Sequence, residues 1–167
     1  MAITMTKNPS KQIYGVVMEY ILSNAEITGT FKPVNIIRYD KPSTLRYPYK
    51  QELMPADLPE LILQLNNVMP NRHSSGEYVE IYQFQATITT SAWNLDQSVA
   101  AHVLIDWLID GNYNMMDGGD FGEGYNFYKI EVLPMQIANA MPDKNRNLSG
   151  FVYGVFFNVQ VSRPREV

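Results

Sequence analysis

Apolar and polar residues alternate most regularly between Tyr78 and Thr90. Tyr82, Phe84, Ala86 and Ile88 fall on one side at period 2, and Gln83, Gln85, Thr87 and Thr89 fall on the other. A strand with one buried and one wet face reads this way, and aromatic and β-branched residues suit its pleated surface. After Ser91-Ala92-Trp93-Asn94 the period becomes 3.6. Val99, Val103, Leu104, Trp107 and Leu108 share one helical face, and Gly111 after Asp110 offers a left-handed cap. A long strand running into an amphipathic helix is the expected core unit.

The flanking pattern supplies partners for that unit. Ser10 is a candidate N-cap for a helix whose face carries Ile13, Val16, Val17, Tyr20 and Ile21, ending near Ser23-Asn24, with Gly29 in the loop beyond. Val34–Tyr39 reads as a short strand, broken by Asp40-Lys41-Pro42-Ser43. Residues 40–57 hold Pro42, Pro48 and Pro55 beside Tyr47 and Tyr49, an extended connection that excludes a regular helix. Leu58–Asn66 has two readings. Asp57 and Pro59 would start a helix, whereas Leu61, Leu63 and Leu65 alternate as in a strand. The strand is favoured, because Met69–Gly76 forms a natural hairpin tip into the long strand.

Beyond the second helix, residues 112–124 are too glycine-rich for regular structure. Tyr125–Leu133 reads as a strand, 134–150 as a second long loop, and Phe151–Ser162 as the last strand, with Tyr153, Val155, Phe157, Val159 and Val161 on one face. The order predicts a single α+β domain over 1–167. It consists of an antiparallel sheet of about five strands, with mixed pairing possible, and two α-helices packed on one face. Residues 1–9 are expected to form a flexible arm.

Composition narrows the function classes. The 167 residues are 46 % hydrophobic, enough for a core, yet only 18 % charged. A Tyr-, Asn- and Gln-rich polar surface suits extensive contact with other proteins. Without cysteine there are no disulfides, thiolate metal sites or thiol nucleophiles. No apolar run approaches the length of a membrane-spanning helix. Met1–Ser10 lacks an apolar signal core, so synthesis in the cytoplasm is expected. The net charge of −4 is unevenly spread: residues 1–50 carry +4, 51–125 carry −10 and 126–167 carry +2. Such segregation suits copies that meet positive side to negative side, unless the fold interleaves the segments.

Candidate chemistry is sparse. His73 lies in a Ser-rich turn, and His102 precedes Asp106 by one helical turn; both read as structural or solvated histidines. Asp117, Asp120 and Glu123 fall three apart in the Gly-rich loop, a spacing unlike a calcium-binding helix–loop–helix. That loop reads first as a solvated segment, next as an interface that meets a basic surface, with Tyr113, Met115, Met116 and Phe121 as apolar contacts, and last as a calcium site. Nucleophile elbows, phosphate-binding loops and dinucleotide fingerprints are all missing, as is any basic stripe for nucleic acid. Neither catalysis nor a cofactor or metal is expected.

The succession of elements is itself informative: a helix over Ser10–Leu22, a strand and long loop, Leu58–Leu63 opening a strand, the Tyr78–Thr90 strand, the Val99–Leu108 helix, and two C-terminal strands. It resembles the tail terminator and neck (head–tail completion) proteins of tailed bacteriophages, over almost the whole chain. The resemblance implies a non-catalytic virion protein, assembled in the host bacterial cytoplasm, that forms a hexameric ring at the head–tail junction. Its partners would be its own copies, the tail tube protein and the head connector, with DNA only as passing cargo and no membrane. It would place Gln83, Gln85, Thr87 and Thr89 around the ring lumen. It would send the long loops, 40–57 with Arg46, Tyr47 and Tyr49, 134–150, and the segment holding Tyr113, Met115, Met116, Asp117, Asp120 and Phe121, to neighbouring subunits or partners. The acidic middle of the chain would suit a lumen wall past which phosphate slides. Three other readings remain: another tail component such as a tube protein, a β-rich small-ligand- or carbohydrate-binding module with Trp93 stacking on a sugar, and, last, a small enzyme of unknown type.

Overall fold

The computed structural model describes residues 8–41, 57–72, 77–91, 95–115, 125–140 and 150–164. Three α-helices, α1 (Pro9–Leu22), α2 (Ala25–Thr30) and α3 (Val99–Asn114), accompany six strands. These are β1 (Ile36–Arg38), β2 (Glu60–Arg72), β3 (Glu77–Thr89), β4 (Asn126–Val132), β5 (Gln136–Ala140) and β6 (Gly150–Pro164). The strands form one mostly antiparallel sheet in the order β1-β2-β3-β6-β4, with β5 also on β6. The fold is α+β, as the sequence pattern predicts.

β3 sits at the centre of the sheet, paired to β2 on one side and to β6 along its whole length on the other. Its even-numbered residues Tyr82, Phe84, Ala86 and Ile88 are buried with Tyr153, Val155, Phe157, Val159 and Val161 of β6. Phe84 stacks on Phe157 with ring centroids 5.3 Å apart. α1 and α3 cover this face: Ile13, Tyr14, Val17, Met18 and Ile21 of α1 and Ala100, Ala101, Leu104 and Leu108 of α3 join the same core cluster. Burying each such large apolar side chain stabilises the fold by about 1.5–3 kcal/mol.

Several elements differ from expectation for local reasons. The N-cap of α1 is Asn8, not Ser10: its side chain accepts from the Lys11 N–H at 3.1 Å, and Pro9 takes the first helical position. The arm expected over 1–9 therefore reaches no further than residue 7, and 1–7 lie outside the described residues. α2 occupies a stretch read as loop. Asn24 caps it by accepting from the N–H groups of Glu26 and Ile27, and Ile27 is buried. Pro33–Asn35 is a 3-10 turn, so β1 is only three residues long. It pairs parallel to β2, Ile36 with Leu61 through Arg38 with Leu63.

The helix expected to stop at Gly111 continues to Asn114. Gly111 serves close approach instead: a Cβ there would lie 2.7 Å from Ile130 Cδ1 and 3.2 Å from the Tyr20 ring. Val99, read as core, is 62 % exposed, because Ala100 and Ala101 take the inward positions. The loop expected over 134–150 contains β5. β4 and β5 run antiparallel along one edge of β6 in succession, interrupted at Pro134, which has no N–H for the ladder. The Leu133 N–H still donates to Phe156 at 2.8 Å just before the break. β2 runs through the expected hairpin tip as far as Arg72. Pro70 is tolerated there because, among the described residues, β2 has no strand on its outer edge beyond Leu63. At the start of β6, Gly150 fits under Thr90, whose carbonyl would lie 2.2 Å from any added Cβ.

Candidate interaction surfaces

The odd-numbered residues of β3 line the sheet face away from α1 and α3. Gln83, Gln85, Thr87 and Thr89 are all half-buried there. Across the strands, Gln64 pairs Gln85, and Asn67, Gln83, Asn158 and Glu131 make one row. The Asn66 amide donates to Gln85 Oε1 at 3.1 Å, and the Gln85 amide donates to Thr87 Oγ1 at 3.2 Å. Asn66 is the extra residue of a bulge in β2 that shifts the register between Leu65 and Asn67. The result is an amide- and hydroxyl-rich surface on which Asn66, Gln85 and Thr87 bond in a chain.

This face is not the acidic wall read from the middle of the chain. Asp96, Asp106 and Asp110 are on the α3 side. Glu80 turns to the helix face, where the Tyr82 hydroxyl donates to it at 2.7 Å. Glu60 is on the open face but buried. The acidic α3 surface thus lies apart from the open sheet face, where amides and hydroxyls are accompanied by buried Glu60 and exposed Glu131.

Of the side chains expected at interfaces, Tyr113 is 78 % exposed on α3, one turn beyond exposed Ile109. Met115, at 4 %, belongs to the protein's own core, because it ends α3 facing the sheet. Arg46, Tyr47, Tyr49, Met116, Asp117, Asp120 and Phe121 lie outside the described residues, as do Trp93, His73 and Glu123. His102 and Asp106 are both exposed. Among the described residues there is no group of three or more His, Asp or Glu able to hold a metal.

Sequence reasoning missed a cleft of about 470 Å³ beside the end of β1, lined by Asn8, Ser10, Lys11, Tyr14, Tyr39, Asp40, Gln64, Leu65 and Asn66. Tyr14 makes it. Its hydroxyl donates to the Leu63 carbonyl at 2.6 Å and accepts from the Tyr39 N–H at 2.9 Å, standing between β1 and β2 where their ladder stops. Burial pushes the Tyr14 pKa up to about 12; the Tyr39 hydrogen bond opposes the rise and the Asp40 charge adds to it. Next to it Arg38, nearly buried, donates to both Asp40 oxygens at 3.0 and 2.9 Å and to Glu19 at 2.7 Å. Burial works against the Arg38 charge, but the hydrogen bonds to Asp40 and Glu19 win and its pKa is raised. Only the Ile13/Val17 spacing hinted at Tyr14, by putting it beside the buried stripe.

No family model and no curated protein matches the chain. Its fold does recur among solved structures. A chain in the virion of a native gene transfer agent (GTA) particle superposes with a TM-score of 0.62 over 94 % of this chain and 99 % of that one, at 11 % identity. The two share a fold from end to end.

Proposed function

We propose that this protein is a structural, non-enzymatic component of a phage-like virion. One observation carries the reading: nearly the whole chain shares its fold with a chain of a virion particle, and that chain is covered almost completely in return. The sparse catalytic chemistry of the sequence agrees with it.

The finer reading is a ring, a hexamer, at the head–tail junction that caps the tail tube and docks to the head connector. Its partners are other copies, the tube protein and the connector, and DNA passes as cargo. The uncharged row of Gln83, Gln85, Thr87 and Thr89 suits a lumen wall, since a row without basic side chains offers phosphate little attraction. Exposed Tyr113 supplies a contact to neighbours, and head-to-tail contacts are what close a ring. The protein would be made in the bacterial host and end in the virion.

Light scattering across concentration, with electron microscopy of the same sample, tests this. A mass near six protomers and a six-fold ring are expected, alone or on addition of tail tube protein. A monomer at every concentration that also ignores the tube protein overturns the ring.

A further inference from the structure

The outer face of α3 carries apolar side chains where a surface helix ordinarily carries charge. Val99, His102, Asp106, Ile109 and Tyr113 follow one another at intervals of three and four residues, so they share one face, and all are exposed. Ile109 and Tyr113 are one turn apart, with Asp106 and Asp110 beside them. From Leu95 to Asn114 the chain holds Asp96, Asp106 and Asp110 and no lysine or arginine. An exposed tyrosine and isoleucine rimmed by carboxylates fit a partner surface with a pocket and a basic rim.

A surface of that kind lies at the other end of the sheet. The cleft beside Tyr14 measures about 470 Å³, more than a tyrosine side chain fills. Asp40 contributes a carboxylate to its wall, but Arg38 donates to both oxygens and offsets that charge. Lys11, exposed on the first turn of α1, adds a cation, exposed Tyr39 an aromatic ring, and Gln64 and Asn66 add amides. α3 is tied to β4 through Asn112 and Ile130, whereas the cleft lies beside β1 and β2. In the order β1-β2-β3-β6-β4 these ends are four strand spacings apart, about 19 Å. Tyr113 is therefore out of reach of the cleft in its own chain.

We propose that the outer face of α3 docks on a second copy of this chain, with Tyr113 entering the cleft beside Tyr14 of the next copy and Asp110 meeting its Lys11. Each copy then offers Tyr113 at one end of its sheet and a cleft at the other, a head-to-tail contact that repeats from copy to copy. The inference rests on the ring reading above and names the contact that joins its subunits.

The natural chain has no cysteine, so a short bis-maleimide linker reports one chosen pair of sites. Copies with Asn114→Cys mixed with copies with Ser10→Cys should cross-link about tenfold faster than Asn114→Cys copies mixed with Lys129→Cys copies, because contact raises the effective concentration of the pair. Adding Tyr113→Ala to the first copy should slow the cross-link about tenfold. Asp110→Lys in that copy, or Lys11→Glu in the other, should slow it about fivefold, and the two reversals together should restore it. A pair no faster than the control overturns the proposal, as does a cross-link indifferent to Tyr113→Ala or charge reversals that fail to rescue each other. The ring is judged separately. A mass near six protomers that persists with Tyr113→Ala overturns this contact and leaves the ring standing. The expected cross-links in a protein that gives no six-fold ring uphold the contact and overturn the ring.

Discussion

Tyr20 and Trp107 hold α1 against α3 by exchanging hydrogen bonds through stacked rings. The ring centroids are 4.8 Å apart with 4° between planes; the Tyr20 hydroxyl donates to the Trp107 carbonyl at 2.5 Å, and Trp107 Nε1–H donates to the Tyr20 carbonyl at 2.8 Å. A side chain bonded to a mid-helix carbonyl fixes both rotation and depth of one helix on the other. Tyr20→Phe and Trp107→Phe should each cost about 1–2 kcal/mol, one net hydrogen bond plus some stacking. Because the contacts are shared, the double variant should lose less than the sum, by at least about 0.5 kcal/mol. Urea melts of the four proteins measure this; strict additivity would show that the two residues act independently.

Gly111→Ala should destabilise the protein although alanine is the better helix former by about 1 kcal/mol. The added methyl meets Ile130 Cδ1 at 2.7 Å. We expect a net loss of about 1–2 kcal/mol from overpacking. Ile130→Val removes that Cδ1, so in its presence Gly111→Ala should be much less harmful. Thermal melts of the two single variants and the double variant decide it.

Asn112 closes the exposed edge of β4. Its amide accepts from the Ile130 N–H at 2.8 Å and donates to the Ile130 carbonyl at 3.0 Å, as a neighbouring strand would. Asn112→Ala should cost about 1–3 kcal/mol by leaving both backbone groups without these bonds. The Ile130 amide should then exchange faster with solvent, and the protein should self-associate more at high concentration. Unchanged exchange at Ile130 would refute the role.

Tyr14 predicts a loss of stability in alkali. Its hydroxyl titrates near 10 when unfolded and at about 12 when folded. A raised folded pKa means the stabilisation is complete below pH 10 and is lost as pH climbs through 12, a span of about 2–3 kcal/mol. Burial of Tyr20 and Tyr153 raises their pKa values too and acts in the same direction. Tyr14→Phe should be less stable at pH 7, because the Leu63 carbonyl and Tyr39 N–H lose their bridge. Its stability should nevertheless fall less between pH 10 and 12 than that of the natural protein. Denaturant titrations across that range check both points.

Period-2 and period-3.6 patterns by themselves determined β3, β6 and the inward stripe of α1, because a residue on a two-sided element declares its face through its own polarity. The same patterns placed Gln83, Gln85, Thr87 and Thr89 on one shared face. Tertiary contact decided the rest. Gly111 continues a helix because Tyr20 and Ile130 fill the space its side chain would need, and nothing next to it in sequence says so. β5 exists because β6 extends far enough to pair past Pro134. β1 is parallel to β2 because α1 and the Tyr14 hydroxyl hold it there, a contact 49 residues apart in the chain. The cleft beside Tyr14 likewise arises where two strands stop pairing. Local propensity records which way each residue faces; which elements meet, and where their edges stay bare, depends on contacts between residues far apart in sequence.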